Sequence, residues 1–253
     1  MKYIAFDLDE TLLRSDKLVS TYTERVLSAL RALGYKTVVN TARSELFTAE
    51  LKNLPECDYY IYNGGALIKN AAGETVFRRY ITTEQLDRLI PELIDKGCGL
   101  SVQTDEALLC DSDGINRPEK RLFDFRQNRV TLPAPKVLAR IESEELADQI
   151  AERYGLELIS YFNSQWRRLT AKGVTKLSGL SELCSAEGGT LGDVMFFGDD
   201  HGDLESIDSV GVGVLMCNAD EEHKISSRRI TKYPCDEDGV ARYLAEYFSL
   251  DIQ

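Results

Sequence analysis

Short apolar runs alternate with longer stretches of helical period along most of the chain. Tyr3-Ile4-Ala5-Phe6 is the first run, and a helix pattern through Val26, Leu27, Leu30 and Leu33 follows it and stops at Gly34. Thr37-Val38-Val39 and Tyr59-Tyr60-Ile61-Tyr62 are further short runs, each ending in a polar or glycine-rich loop. Val194-Met195-Phe196-Phe197 and Val212-Gly213-Val214 repeat the design near the other end. Apolar strands separated by helices predict an α/β fold with a parallel, doubly wound sheet buried on both faces. Ligands of such sheets bind outside the carboxyl ends of the strands, where these polar loops gather.

The middle of the chain has another pattern. Ile81 to Lys96 predicts a helix, with Thr82 or Thr83 as N-cap and Gly97 as the stop. Leu100 to Thr104 and Ala107 to Cys110 predict a hairpin, Leu132-Pro133-Ala134-Pro135 is linker-like, and Ser143 to Tyr154 predicts a second helix closed by Gly155. Leu156 to Phe162 and Trp166 to Thr170 predict a closing hairpin. The expected organisation is a core domain in two parts, 1–79 and 168–253, interrupted by an α+β domain over 80–167. There are no internal repeats.

Composition narrows the function classes. A chain of 253 residues with a formal charge of −12 argues against a nucleic-acid or anionic-membrane partner, which want a basic face. A small anionic substrate stays possible, because a local metal ion or lysine overrides the global field. The six cysteines are scattered without CxxC or Cys/His metal spacing, which predicts reduced thiols in a cytoplasmic protein. Neither a signal peptide nor a membrane span is expected.

The candidate chemistry lies at the predicted strand ends. Asp7-Leu8-Asp9-Glu10-Thr11 puts two carboxylates where a buried strand runs into a loop, a costly arrangement without a counter-charge. The chemical reading is a nucleophilic Asp7 that accepts a phosphoryl group, with Asp9 as proton donor and then acceptor. The structural reading is a polar turn with Thr11 capping the next helix. Thr41, in Asn40-Thr41-Ala42-Arg43, either presents a hydroxyl and backbone N–H groups to a phosphate at a helix start or simply caps that helix. Lys176 precedes an apolar helix, with Lys172 as a competitor for the role of a site cation. Gly198-Asp199-Asp200-His201-Gly202-Asp203 ends an apolar strand with three carboxylates at a glycine turn, which suits a hard, oxygen-liganded cation. Asp7, Asp9, Asp199 and Asp203 at neighbouring strand ends would repel one another, and a Mg²⁺ ion with a lysine would remove that penalty.

With these residues in view the chain resembles the haloacid dehalogenase superfamily of phosphohydrolases, in its Cof-type (subfamily IIB) sugar-phosphatase branch. The matching segments are Asp7 to Thr11, Thr41-Ala42-Arg43, Asn63-Gly64-Gly65, Lys176 in Gly-Val-Thr-Lys, and Gly198-Asp199 through Asp203. Leu215 to Ala219 and Glu237 to Val240 match the branch's C-terminal signatures. The resemblance implies a Rossmann-like core, an α/β cap of the C2B type, and Mg²⁺ held by the Asp7 carboxylate, the Asp9 carbonyl and Asp199, with Asp203 assisting. It implies hydrolysis of a small phosphate ester through an aspartyl-phosphate, with Thr41, Ala42 and Lys176 on the phosphate and Asp9 kept protonated by its anionic surroundings. Arg43 and the basic cluster Arg117, Lys120, Arg121, Arg126 and Arg129 are candidates for the organic part of the substrate, or else a solvated face.

Ala42 and Cys217 stand where the family usually has glycine, and Gly202 where it usually has asparagine. His223 is expected at the surface and Trp166 in the core of the inserted domain. The competing readings are a phosphosugar mutase of the same fold and a weakly catalytic ligand-binding member.

Overall fold

The structure is a computed structural model that describes residues 1–112, 120–160, 164–225 and 229–252. The chain divides into two compact units, Met1–Phe77 with Thr175–Gln253, and Arg78–Val174.

The first unit carries a seven-stranded sheet. Its elements in order are β1 (Tyr3–Phe6), α1 (Thr21–Ala32), β2 (Lys36–Asn40), α2 (Glu45–Ala49), β3 (Tyr59–Tyr62), β4 (Leu67–Asn70) and β5 (Thr75–Arg78). The second unit holds α3 (Thr83–Asp95), β6 (Leu100–Gln103), β7 (Leu108–Cys110), β8 (Lys120–Leu122), β9 (Lys136–Arg140), α4 (Glu144–Tyr154), β10 (Leu156–Ser160) and β11 (Trp166–Ala171). The first unit is then completed by α5 (Lys176–Ala186), β12 (Val194–Gly198), α6 (His201–Ser209), β13 (Val212–Leu215), α7 (Glu221–Lys224) and α8 (Gly239–Tyr247).

The order β13-β12-β1-β2-β3-β4-β5 puts β1 in the middle, parallel to β12 on one side and β2 on the other. Alternation along the strands buries both faces. Ile4, Phe6, Val39, Met195 and Phe197 pack with α1 and α8, while Ala5, Val38, Ile61, Val194 and Phe196 pack with α5 and α6. The predicted parallel, doubly wound α/β sheet is therefore present, extended by β4, which runs antiparallel to β3. Sequence reasoning missed β4 and β5 because Leu67-Ile68 is too short an apolar run, next to a Gly-Gly loop, to count as a strand.

The second unit is a six-stranded sheet, β10-β11-β9-β6-β7-β8, antiparallel except between β7 and β8. One face, through Leu100, Val102, Val137, Ala139 and Leu169, packs on Leu86, Leu89, Leu93, Ala147 and Ile150 of α3 and α4. Thr82 caps α3 with a reciprocal bond to Gln85, and Gly155 ends α4 in the left-handed conformation that glycine adopts without strain. Both predicted hairpins form, β6–β7 and β10–β11, although Phe162 lies outside the described residues. The linker-like Leu132–Pro135 is instead part of the structure. Ala134 is buried and exchanges two backbone hydrogen bonds with Ile81, at 2.8 and 3.0 Å, an extended pairing that flanking prolines tolerate.

Trp166 corrects another expectation. It is only half-buried, and it lines a groove of about 840 Å³ with Cys98, Asp111 and Arg140 rather than joining the apolar core. Of the basic cluster, Arg121, Arg126 and Arg129 are exposed, and Arg129 pairs with Asp87, which fits a solvated face. Arg117 lies outside the described residues.

Candidate active site

The loops after β1, β2, β3 and β12 meet at the carboxyl edge of the first unit's sheet. Asp7 continues β1 and is bound into the sheet through its amide, which donates to the Phe197 carbonyl at 2.9 Å. The chain then turns tightly through Leu8–Leu12, with Glu10 in the left-handed region at φ 54. Asn218 holds that strained residue in place: its Nδ2 donates to the Glu10 carbonyl at 2.7 Å, and its Oδ1 accepts from the Cys235 amide at 3.0 Å. Arg14 pairs with Asp238 at 2.8 Å, so the two C-terminal signature segments brace the first motif.

Lys176 is brought to Asp7 by α5. Thr175 caps that helix, and the cap is packed so closely on the loop after β3 that a Cβ on Gly65 would lie 2.2 Å from the Thr175 carbonyl oxygen. Asn40 Nδ2 also donates to the Lys176 carbonyl at 3.0 Å. The buried Lys176 ammonium then stands 2.7 Å from Asp203 Oδ1 and 3.2 Å from Asp7 Oδ1. Burial alone would favour its neutral form, but the charges of Asp203, Asp7 and Asp200 outweigh it and hold the lysine well above its usual range. Lys172, the competitor, is exposed and belongs to the second unit.

The acids around this lysine exceed its charge. Burial is the main reason Asp7 is pushed up to about 6, against the pull of Lys176. Asp199 is pushed up to about 7, again by burial and then by repulsion from Asp203 and Asp200. Asp203 is raised well above the ordinary carboxylate range by burial and by repulsion from Asp7 and Asp200, despite its bond to Lys176. One carboxylate oxygen each from Asp7, Asp199 and Asp203 lies within 4.8 Å of the others. An all-oxygen donor set with surplus negative charge fits a hard divalent cation. Asp203 is already engaged at both oxygens, Oδ1 by Lys176 and Oδ2 by the amides of Asp199 at 3.2 Å and Asp200 at 3.3 Å. Asp7 and Asp199 are the freer donors.

Three expectations change at this edge. The Asp9 side chain is not held among anions. Arg43 grips it with two bonds of 2.6 Å and Lys17 Nζ adds a contact at 3.1 Å. Burial would push the carboxyl up, but the Arg43 and Lys17 hydrogen bonds and charges prevail and hold it below its ordinary range. Thr41 is not at a helix start. The helix after β2 begins at Glu45 with Ser44 as its cap, and the Thr41 hydroxyl accepts from the Arg43 amide at 3.2 Å. Thr11 caps nothing; its hydroxyl donates to Asp199 Oδ1 at 2.6 Å.

His223 is buried rather than at the surface, with its ring 5.9 Å from that of His201. Gly202 is exposed, and a Cβ there would meet only the Asp200 carboxylate, 3.2 Å away. Ala42 lies between Thr41 and Arg43 in the same loop. Lys17, Asn40 and Asn218 were missed by sequence reasoning. Asn40, a polar residue closing an apolar strand, and Asn218, inside the Leu215–Ala219 signature, were the legible signals among them.

The model of the haloacid dehalogenase-like hydrolases matches residues 4–244, spanning both units and every residue of this edge. The chain belongs to that family. Among curated relatives of these hydrolases, the chain is 28% identical to the 5-amino-6-(5-phospho-D-ribitylamino)uracil phosphatase YitU of Bacillus subtilis, over 98% of this chain and 97% of that one. It is 24% identical to YcsE of the same organism, which bears the same activity name, over 98% and 96%. Among solved structures, a Thermotoga maritima protein superposes with a TM-score of 0.81 at 21% identity, covering 97% of each chain. A subclass IIB sugar phosphatase superposes with a TM-score of 0.73 at 23% identity, over 98% and 99%. Those two likenesses are of fold. As a Cof-type haloacid dehalogenase-like hydrolase with phosphatases for relatives, the chain is a phosphoric monoester hydrolase.

Proposed function

We propose that the chain is a Mg²⁺-dependent phosphatase of small phosphate monoesters, sugar phosphates in particular, working through an aspartyl-phosphate. The observation that carries the reading is the buried Lys176 ammonium between Asp7 and Asp203, in an acid cluster that still carries surplus negative charge. In this reading an Asp7 oxygen attacks phosphorus, the P–O bond to the leaving group breaks, and its electron pair stays on the ester oxygen. Asp9, ionised in its pairing with Arg43 and Lys17, first takes up a proton from solvent, gives it to that oxygen, and then takes one from the water that hydrolyses the acyl phosphate. Lys176 draws charge from the transferring phosphoryl oxygens, and the Thr41 hydroxyl, which accepts from the Arg43 amide, keeps its own proton to donate to them.

Asp7, Asp199 and the Asp9 carbonyl would hold the Mg²⁺, with Asp203 keeping Lys176 and the Asp199 amide in place. Bound there, the ion supplies charge neutralisation for an anionic substrate. The inserted domain, 78–174, is read as the cap that supplies substrate contacts. The names of the relatives YitU and YcsE support a phosphorylated polyol as the substrate type.

The test is release of free phosphate by purified protein over a panel of sugar phosphates and nucleotides, with Mg²⁺ and with EDTA. Mg²⁺-dependent release that Asp7→Asn abolishes supports the reading. Transfer to a second sugar without free phosphate would point to a mutase, and equal inactivity of wild type and variant to a ligand-binding protein.

A further inference from the structure

Arg43 is tied down more thoroughly than a substrate-facing side chain needs to be. Its amide donates to Thr41 Oγ1 at 3.2 Å and its carbonyl accepts from the Asn63 amide at 2.8 Å, which pins the backbone from two strand ends. Its Nη1 donates to the Phe47 carbonyl at 3.4 Å. The remaining donors form a fork, with Nε on Asp9 Oδ2 and Nη2 on Asp9 Oδ1, both at 2.6 Å. A guanidinium fork is planar and rigid, so it fixes the plane of the carboxylate as well as its distance, which a lysine cannot do. Lys17 touches only Oδ1 and is shared with Glu10. Asp9 is thus oriented by the loop after β2, and its carboxylate is not a member of the Asp7–Asp199–Asp203 cluster.

We infer that Arg43 is the positioning residue for Asp9: its fork holds the ionised carboxylate beside the site between turnovers, and the proton that Asp9 delivers to the ester oxygen is one it takes from water on leaving the fork. The inference rests on the reading of Asp9 as the acid–base group. It assigns Arg43 to proton transfer rather than to holding the organic part of the substrate.

Leaving-group dependence separates these roles. A sugar alkoxide departs only if protonated, whereas nitrophenolate is stable without a proton. The experiment compares single-turnover release of the leaving group from ribose 5-phosphate and from p-nitrophenyl phosphate for wild type, R43K, D9N and the double variant, because the later hydrolysis of the acyl phosphate needs Asp9 whichever ester was cleaved. R43K should slow leaving-group release from ribose 5-phosphate by roughly 10- to 100-fold while release from p-nitrophenyl phosphate falls by less than about threefold and the half-saturating substrate concentration barely moves. D9N should show the same selectivity, and R43K should add nothing to it. If R43K fails to fold, R43Q carries the same expectations. Equal slowing of both esters by R43K, a change confined to the half-saturating concentration, or full additivity with D9N overturns the inference. If D9N itself shows no leaving-group selectivity, the acid–base reading of Asp9 fails, and the inference falls with it.

Discussion

The Thr11 hydroxyl donates to Asp199 Oδ1 at 2.6 Å, joining side chains 188 residues apart in the chain. Thr11 is buried, so this bond has no competing water and it favours the ionised form of an acid that burial pushes up to about 7. It ties the first acidic motif to the last.

Thr11→Val keeps the shape and removes the donor. Asp199 then loses its stabilised charge, and the expected outcomes are a stability loss of about 1–3 kcal/mol and weaker Mg²⁺ binding. Urea unfolding and a Mg²⁺ titration of phosphate release measure the two effects. Unchanged values in both would show that the bond does not support Asp199.

Lys176→Met removes the only cation in direct contact with the Asp7 and Asp203 carboxylates among the described residues. Two buried acids are left uncompensated, a cost of about 3–5 kcal/mol near pH 8. Acidification neutralises those acids, so the gap between variant and wild type should narrow by pH 5. Urea midpoints at the two pH values check both size and direction.

Asp7 at about 6 and Asp199 at about 7 bind protons more tightly in the folded chain than when unfolded. Their contribution to stability is therefore present below about pH 4 and is lost as pH rises through 6 to 7. A divalent cation replaces the missing protons only above that range. Excess Mg²⁺ should raise the melting temperature by about 5–10 °C at pH 8 and have almost no effect at pH 5. Thermal scans with Mg²⁺ and with EDTA measure this, and an equal shift at both pH values would contradict it.

Gly202→Asn restores the family's usual residue at an exposed position where a Cβ meets only the Asp200 carboxylate. The fold should change by less than about 0.5 kcal/mol. The apparent affinity for Mg²⁺ should rise, as read from the concentration dependence of phosphate release. No change in that dependence would mean that the position does not bear on the metal.

The core sheet was legible because Tyr3–Phe6, Val194–Phe197 and their neighbours are apolar on both faces, and only a covered parallel strand tolerates that pattern. Lys176 was legible through its resemblance to the family's Gly-Val-Thr-Lys segment; its place before an apolar helix left Lys172 a competitor. The pairing of Asp9 with Arg43 and Lys17 was not. Spacing along a chain locates a carboxylate, but its charge state depends on which neighbours fold against it. The bond from Thr11 was not legible for a related reason: hydroxyls cap helices so often that a tertiary acceptor 188 residues away leaves no local trace. His223 is buried and Trp166 only half-buried, against expectation, because burial of an amphipathic ring depends on tertiary packing and not on the polarity of adjacent residues.

The central place of β1 also bears on how the molecule is made. Its partner β2 leaves the ribosome within a few dozen residues, but β12 follows only after the whole of 78–174 has been synthesised. Until then, one edge of the first strand is a bare ladder and Asp7 has no lysine beside it. The inserted domain can fold while the sheet that encloses it in sequence is still half built, so the nascent chain passes through a stage with a finished appendage and an open core. Chaperone dependence should accordingly be greatest between completion of β11 and the emergence of β12.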